Sequence, residues 1–157
     1  MSAVFARSGV RFQFPENWAV ETEDAAGTDP GGDGDAAPDG EGGWTVIVQS
    51  PATAFVVVSL RPHADGPAAA TDEALAALMS EYPDAEAEAV IGQLAGLPAT
   101  GHDVEFITLD TTTTCRTRAA DTPRGTLLVL WQVTDYDRVA SEPVLDAIVS
   151  SLTVEGD

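Results

Sequence analysis

The chain has 157 residues, 44% of them apolar, with twenty-six acidic side chains against seven basic ones and a formal net charge of −19. The length is enough to bury a core, and the apolar share excludes a disordered chain. The charge repels phosphate backbones and anionic lipid surfaces, so nucleic acid is not expected as a partner unless the arginines cluster.

All seven basic residues are arginines, and Asn17 is the single asparagine. That bias fits a GC-rich or salt-adapted bacterial genome and says nothing of function. The apolar runs, such as Leu127 to Trp131, are strand-sized and too short to span a bilayer. Met1 to Val10 has neither an apolar core nor a small-residue cleavage site, so a signal peptide is not expected and the location is read as cytoplasmic.

In chain order, Val10 to Phe14 reads as a strand, Pro15 to Asn17 as a turn, and Trp18 to Thr22 as a second strand. Glu21 to Gly43 then holds eight acids, no base and many glycines. Such a stretch buries too little apolar surface to offset its ordering entropy. A mobile acidic insertion at about 23–43 within a single domain is the expectation. Asp29, Asp33 and Asp35 fall near calcium-loop positions, but Gly40 stands where the bidentate glutamate belongs, so no metal is expected there.

Trp44 to Ser50 and Ala54 to Arg61 form an expected hairpin around Pro51. Phe55 to Val58 is apolar on both faces, which predicts a central strand covered on both sides. His63 to Ala70 reads as a loop. Thr71 is the expected N-cap of a helix whose buried stripe is Leu75, Leu78, Met79 and Tyr82, ended by Pro83. Glu86 to Ile91 reads as a strand, Gly92 to Gly96 as a turn, and a further strand begins at Leu97.

His102 to Asp110 and Thr112 to Ala119 predict a hairpin turning on Asp110-Thr111. That register sets Glu105 opposite Arg116 and Asp103 opposite Arg118, with Val104, Phe106 and Cys115 on the other, buried face. Thr126 to Thr134 is a last long strand. Ser141 is the expected cap of a second helix with Pro143 in its first turn and Leu145, Ile148, Val149 and Leu152 as its buried stripe. The order β-β-loop-β-β-α-β-β-β-β-α predicts an α+β fold with a mainly antiparallel sheet and two principal helices.

The strand-turn-strand Phe12 to Trp18 (FQFPENW), the turn Gly96-Leu97-Pro98-Ala99 and the helix end Ile148 to Leu152 together resemble the Mog/PsbP-like family over nearly the whole chain. The resemblance implies an α/β/α sandwich around an antiparallel sheet. It also implies non-enzymatic work as an accessory subunit, adaptor or chaperone, and it brings over no binding residue.

Candidate chemistry is sparse. Cys115 is the only cysteine, so an intrachain disulfide is excluded and a half-buried core thiol is the expectation. His63 and His102 have no metal-ligand spacing. His63 reads as loop surface. His102 beside Asp103 suggests an acid-base pair, against the plainer reading of a strand start. No serine elbow or phosphate loop appears, and no cofactor is expected. Trp18, Trp44 and Trp131 are candidates for an apolar groove or, more simply, core packing. Arg116 and Arg118 are candidates for an anion site beside His102, against the ion pairs above.

Trp18, Trp44, Trp131, His102, Arg116 and Arg118 are the candidate partner or ligand face. The leading expectation is a non-catalytic binding or accessory module that meets a protein partner, preferably a basic one. The alternatives are a chaperone-like holder of secreted segments and a small hydrolase or ligand-binding enzyme working near His102.

Overall fold

A computed structural model describes residues 2–7, 9–24, 43–61, 66–108 and 110–154. Ten strands and two helices follow one another: β1 (Ser2–Arg7), β2 (Val10–Pro15), β3 (Ala19–Asp24), β4 (Trp44–Gln49), β5 (Phe55–Arg61), α1 (Pro67–Glu81), β6 (Glu86–Leu94), β7 (Leu97–Thr108), β8 (Thr111–Thr122), β9 (Gly125–Thr134), α2 (Arg138–Ser150) and β10 (Thr153–Val154). Seven strands form one sheet in the order β3-β4-β5-β9-β8-β7-β6, and β1-β2-β10 form a second. Every described pairing is antiparallel. The α+β class with an antiparallel sheet is as expected.

The sheet has two differently covered faces. Trp44, Val46 and Val48 of β4 pair with Leu60, Val58 and Val56 of β5, which pair in turn with Leu127, Val129 and Trp131 of β9. These side chains share one face and make the main core with Val10, Phe12 and Phe14 of β2, with Leu145 and Ile148 of α2 and with Leu152 just after that helix. The alternation of buried and open positions along β2 and β4 is the period of two that a half-buried strand requires. On the opposite face, Leu75, Leu78 and Met79 of α1 and Tyr82 at its C-terminal cap pack on Val104, Phe106 and Cys115, as their spacing predicts. The layers are therefore α1, the large sheet, then α2 beside the small sheet.

Several boundaries differ from expectation. The helix α1 starts at Pro67, not at Thr71, with proline in the first turn where its missing N–H costs nothing. Thr71 Oγ1 instead donates to the carbonyls of Pro67 and Ala68 inside the helix. Likewise α2 starts at Arg138, so Pro143 lies inside it and Ser141 is not the cap. The Phe12 to Trp18 motif does turn, with Trp18 N donating to Pro15 O at 3.1 Å, but β2 and β3 belong to different sheets. Both Phe55 and Val57 are only half-buried, because α1 lies over β7, β8 and β9 and leaves that side of β5 part-open.

Glu21 to Asp24 belong to β3. Residues 25–42 of the expected acidic insertion, with its calcium-like positions, and His63 lie outside the described residues.

The β7–β8 register is also two residues out. Asp103 faces Arg116 and Glu105 faces Thr114, because Thr108 pairs with Thr111 and the turn falls one residue earlier. Asp110 takes φ 71°, a left-handed conformation that aspartate tolerates and the β-branched Thr111 resists. A shift of two preserves which face each side chain occupies, so the buried set is as expected.

Asp137 ties α2 to the strands. Its Oδ1 accepts from Thr53 Oγ1 at 2.6 Å and Thr134 Oγ1 at 3.1 Å; its Oδ2 accepts from Thr53 N and Ser141 Oγ, both at 3.1 Å. Burial alone would raise this carboxyl, but the bonds from Thr53, Ser141 and Thr134 together hold it below its ordinary value. A depressed folded pKa adds stability above the unfolded value of about 3.9, and that stability is lost as pH falls through the folded value. Asp137→Ala should therefore cost about 1–2 kcal/mol at neutral pH. Urea unfolding at pH 7 and near pH 3 checks this: the gap between wild type and variant should shrink in acid, and an unchanged gap contradicts it.

Candidate functional site

The candidate residues separate by face. Adjacent residues of a strand point to opposite sides, so His102 and Asp103 cannot form a side-chain pair. Nor does His102 start a strand: it lies inside β7, which begins at Leu97. It faces α1, with Nε2 4.0 Å from Asp72 Oδ1 and a side chain 15% exposed. Its Nδ1 is buried and has no hydrogen-bond partner among the described residues.

Arg116 and Arg118 lie on the other face and do not join His102 in an anion site. Both meet Asp103 instead, at 3.8 Å from Arg116 Nε and 3.0 Å from Arg118 Nη2. Asp103 Oδ1 has these charges close by but receives no well-angled hydrogen bond. Arg116 Nη1 reaches Glu142 of α2 at 3.3 Å, and Arg138 reaches the same carboxylate at 3.4 Å. Arg138 also donates to Thr114 Oγ1 and pairs with Asp135 at 3.2 Å. The arginines are committed to the fold.

Trp18, Trp44 and Trp131 are 7%, 2% and 8% exposed and sit in the main core. Among the described residues they pack inward rather than line an open groove. Trp44 packs against Phe5 of β1 at 5.3 Å, and the Arg118 guanidinium lies 5.6 Å from the Trp131 ring centre. The six candidates thus divide into core tryptophans, a helix-facing histidine and two paired arginines.

Cys115 is buried opposite α1, and burial pushes its thiol up to about 12. Almost no thiolate exists at neutral pH, so it is no nucleophile. Iodoacetamide should leave the native thiol unmodified over a time in which denatured protein reacts fully; equal rates would contradict this. The raised pKa adds stability that is complete below about 9 and lost as pH rises through the folded value.

What the sequence did not single out is the acidic end of the sheet at β6 and β7, on the side that carries α2. Glu86 and Glu88 of β6 lie opposite Glu105 and Asp103 of β7. They share the α2 side of the sheet with Arg116 and Thr114 and line a hollow of about 320 Å³. A second hollow of about 430 Å³ adjoins it, lined by Glu81, Asp84, Glu86, Glu105, Phe106 and Tyr82, among others. The rings of Tyr82 and Phe106 stack 4.1 Å apart at an interplanar angle of 16°. His102 lines neither hollow.

Among the described residues no group of three or more His, Cys, Asp or Glu side chains is set to hold a metal ion. These carboxylates are spaced along two strands rather than converging on a point. An extended array of this kind suits several separate cationic groups better than one ion.

No protein-family model and no curated protein matches the sequence. Solved structures do match in shape. Cyanobacterial PsbP from Synechocystis aligns with a TM-score of 0.57 at 17% identity, over 99% of this chain and 92% of that one. A protein of unknown function from Pseudomonas aeruginosa aligns with a TM-score of 0.52 at 12% identity, over 99% of both chains. LpqN, involved in cell envelope biogenesis of Mycobacterium tuberculosis, gives a TM-score of 0.49 at 14% identity, over 98% and 90%. Identities this low speak for architecture alone: the fold is PsbP-like.

Proposed function

We propose that this chain is a non-catalytic, protein-binding accessory module that recognises a basic segment of its partner. The observation that carries the reading is the pair of adjoining hollows. Glu81, Asp84, Glu86, Glu88, Asp103 and Glu105 line them, and Arg116, the one cation among the lining residues, is already paired with Asp103 and Glu142. Lysine or arginine side chains would find carboxylates at strand spacing and, beside them, an aromatic stack for their apolar stems. Electrostatic attraction to a chain of this charge would also speed encounter with a basic partner.

The PsbP-like fold and the Mog/PsbP-like motifs support an accessory role over an enzymatic one, and the motifs extend the reading to the Mog-like branch. A cytoplasmic location is part of the reading and is tested by cell fractionation.

The function is tested by co-purification on the tagged chain from its source, at low and moderate salt, beside the charge-reversed variant Glu86→Arg/Glu105→Arg. The expected result is one stoichiometric partner that survives moderate salt and is lost from the variant. Absence of a partner in either salt, or full retention by the variant, would overturn it.

A further inference from the structure

Among the described residues the large sheet ends in two edge strands, β3 and β6. An edge strand presents a row of unpaired backbone N–H and C=O groups, which proteins normally guard with charge, proline or bulges. Such guarding is visible on β3, a strand of six residues with the exposed Glu21 at its middle. On β6 it is partial. That strand has nine residues and no proline, and its only charges are Glu86 and Glu88 at one end. Ala89 to Gln93 is uncharged, with Ile91 87% exposed at its centre.

The two faces of this edge differ. Paired residues share a face, so Glu86 and Glu88 flank Glu105 and Asp103 on the α2 side. Ala87, Ala89 and Ile91 pair with Val104, His102 and Thr100 on the α1 side. A strand added alongside β6 would place its alternate side chains beside these two rows. One set would meet carboxylates and the hollow they line; the other would meet alanines and Ile91.

We infer that β6 is a strand-addition site, and that its occupant is an extended segment of another protein alternating basic and apolar residues. A second copy of this chain fits less well, because each copy brings a net charge of −19. The inference deepens the proposed function by naming the docking edge, and it rests on that reading.

A short peptide alternating lysine and valine provides the probe, with amide hydrogen exchange followed by NMR on the full chain. Protection should appear along Glu86 to Gln93. N-methylating alternate peptide bonds keeps every charge but removes edge hydrogen bonds, and should weaken binding about tenfold or more. Ile91→Asp separates the causes: edge pairing predicts weaker binding, whereas charge attraction alone predicts tighter binding.

Undiminished binding of the methylated peptide, tighter binding by Ile91→Asp, protection elsewhere, or β6 already paired with a second copy would each overturn the inference. If the peptide fails but the native partner is still retained at the acidic hollows, only the edge assignment falls. Loss of both removes the function as well.

Discussion

Gly101→Ala should be among the most damaging single substitutions in this chain. Gly101 is buried in β7 opposite Arg118. A Cβ built there would stand 1.7 Å from the Thr117 carbonyl oxygen and 2.6 Å from its carbon. Those are backbone atoms of a strand held on both sides, so no side chain can swing away to make room. The local bonding depends on this close approach. His102 N donates to Thr117 Oγ1, and Arg118 Nη1 donates to Thr117 O at 2.7 Å.

Forcing the strands apart would disturb both bonds and the Arg118–Asp103 pair beyond them. Overpacking against backbone sets the cost at about 3 kcal/mol or more, which for a chain of this size lowers the melting temperature by roughly 10 °C. Thermal unfolding by circular dichroism reads this directly; a fall of only about 2 °C would show that β7 and β8 can separate at low cost.

The second large effect is expected at Phe12→Ala. Phe12 is fully buried, stacked on Phe5 at 5.1 Å and tilted against Phe14 at 6.0 Å. It joins the small sheet to the main core, where β2 meets α2 and the large sheet. Truncation removes an aromatic ring from a site whose neighbours are held by two sheets and a helix, so the cavity cannot readily collapse. The expected cost is about 3–5 kcal/mol. Urea unfolding checks it, and a loss below about 1 kcal/mol would mean that the small sheet adds little to the core. Ile91→Ala is a suitable companion, since its exposed side chain should change stability by less than about 0.5 kcal/mol.

These two positions also show what local sequence can and cannot carry. Phe12 belongs to a period-two pattern that identifies its strand and its buried face. The packed stripe of α1 and the buried face of the β7–β8 hairpin are legible in the same way, because burial of one face imposes a period on any chain. Helix starts misled it: Thr71 and Ser141 look like caps, but the alanines after Pro67 extend α1 by a turn, and Asp137 is drawn into a bond network that starts α2 earlier.

Turns misled it as well. Ala95 and Gly96 both take positive φ and close β6–β7 over two residues, so β6 runs on to Leu94 rather than stopping at Ile91. The strands β1 and β10 went unread because each exists through its pairing with β2, a long-range property with no local signature. The close approach at Gly101 is of the same kind.

The acidic hollows were illegible for a different reason. With twenty-six acids in the chain, no cluster stands out in one dimension. Only the β6–β7 register brings Glu86, Glu88, Asp103 and Glu105 together. Conversely, tryptophans, a histidine and two arginines attract notice as residue types, yet the fold uses them for packing and internal pairing.

Carbodiimide cross-linking of the co-purified complex, with the joined residues mapped by mass spectrometry, is the most direct test of recognition through the acidic end of the sheet. This chain contains no lysine, so a bond from one of its carboxylates to a lysine amine must come from the partner. Links should concentrate at Glu86, Glu88 and Glu105. Links confined to Asp72 and Glu73 of α1, or spread evenly over the surface, would contradict it.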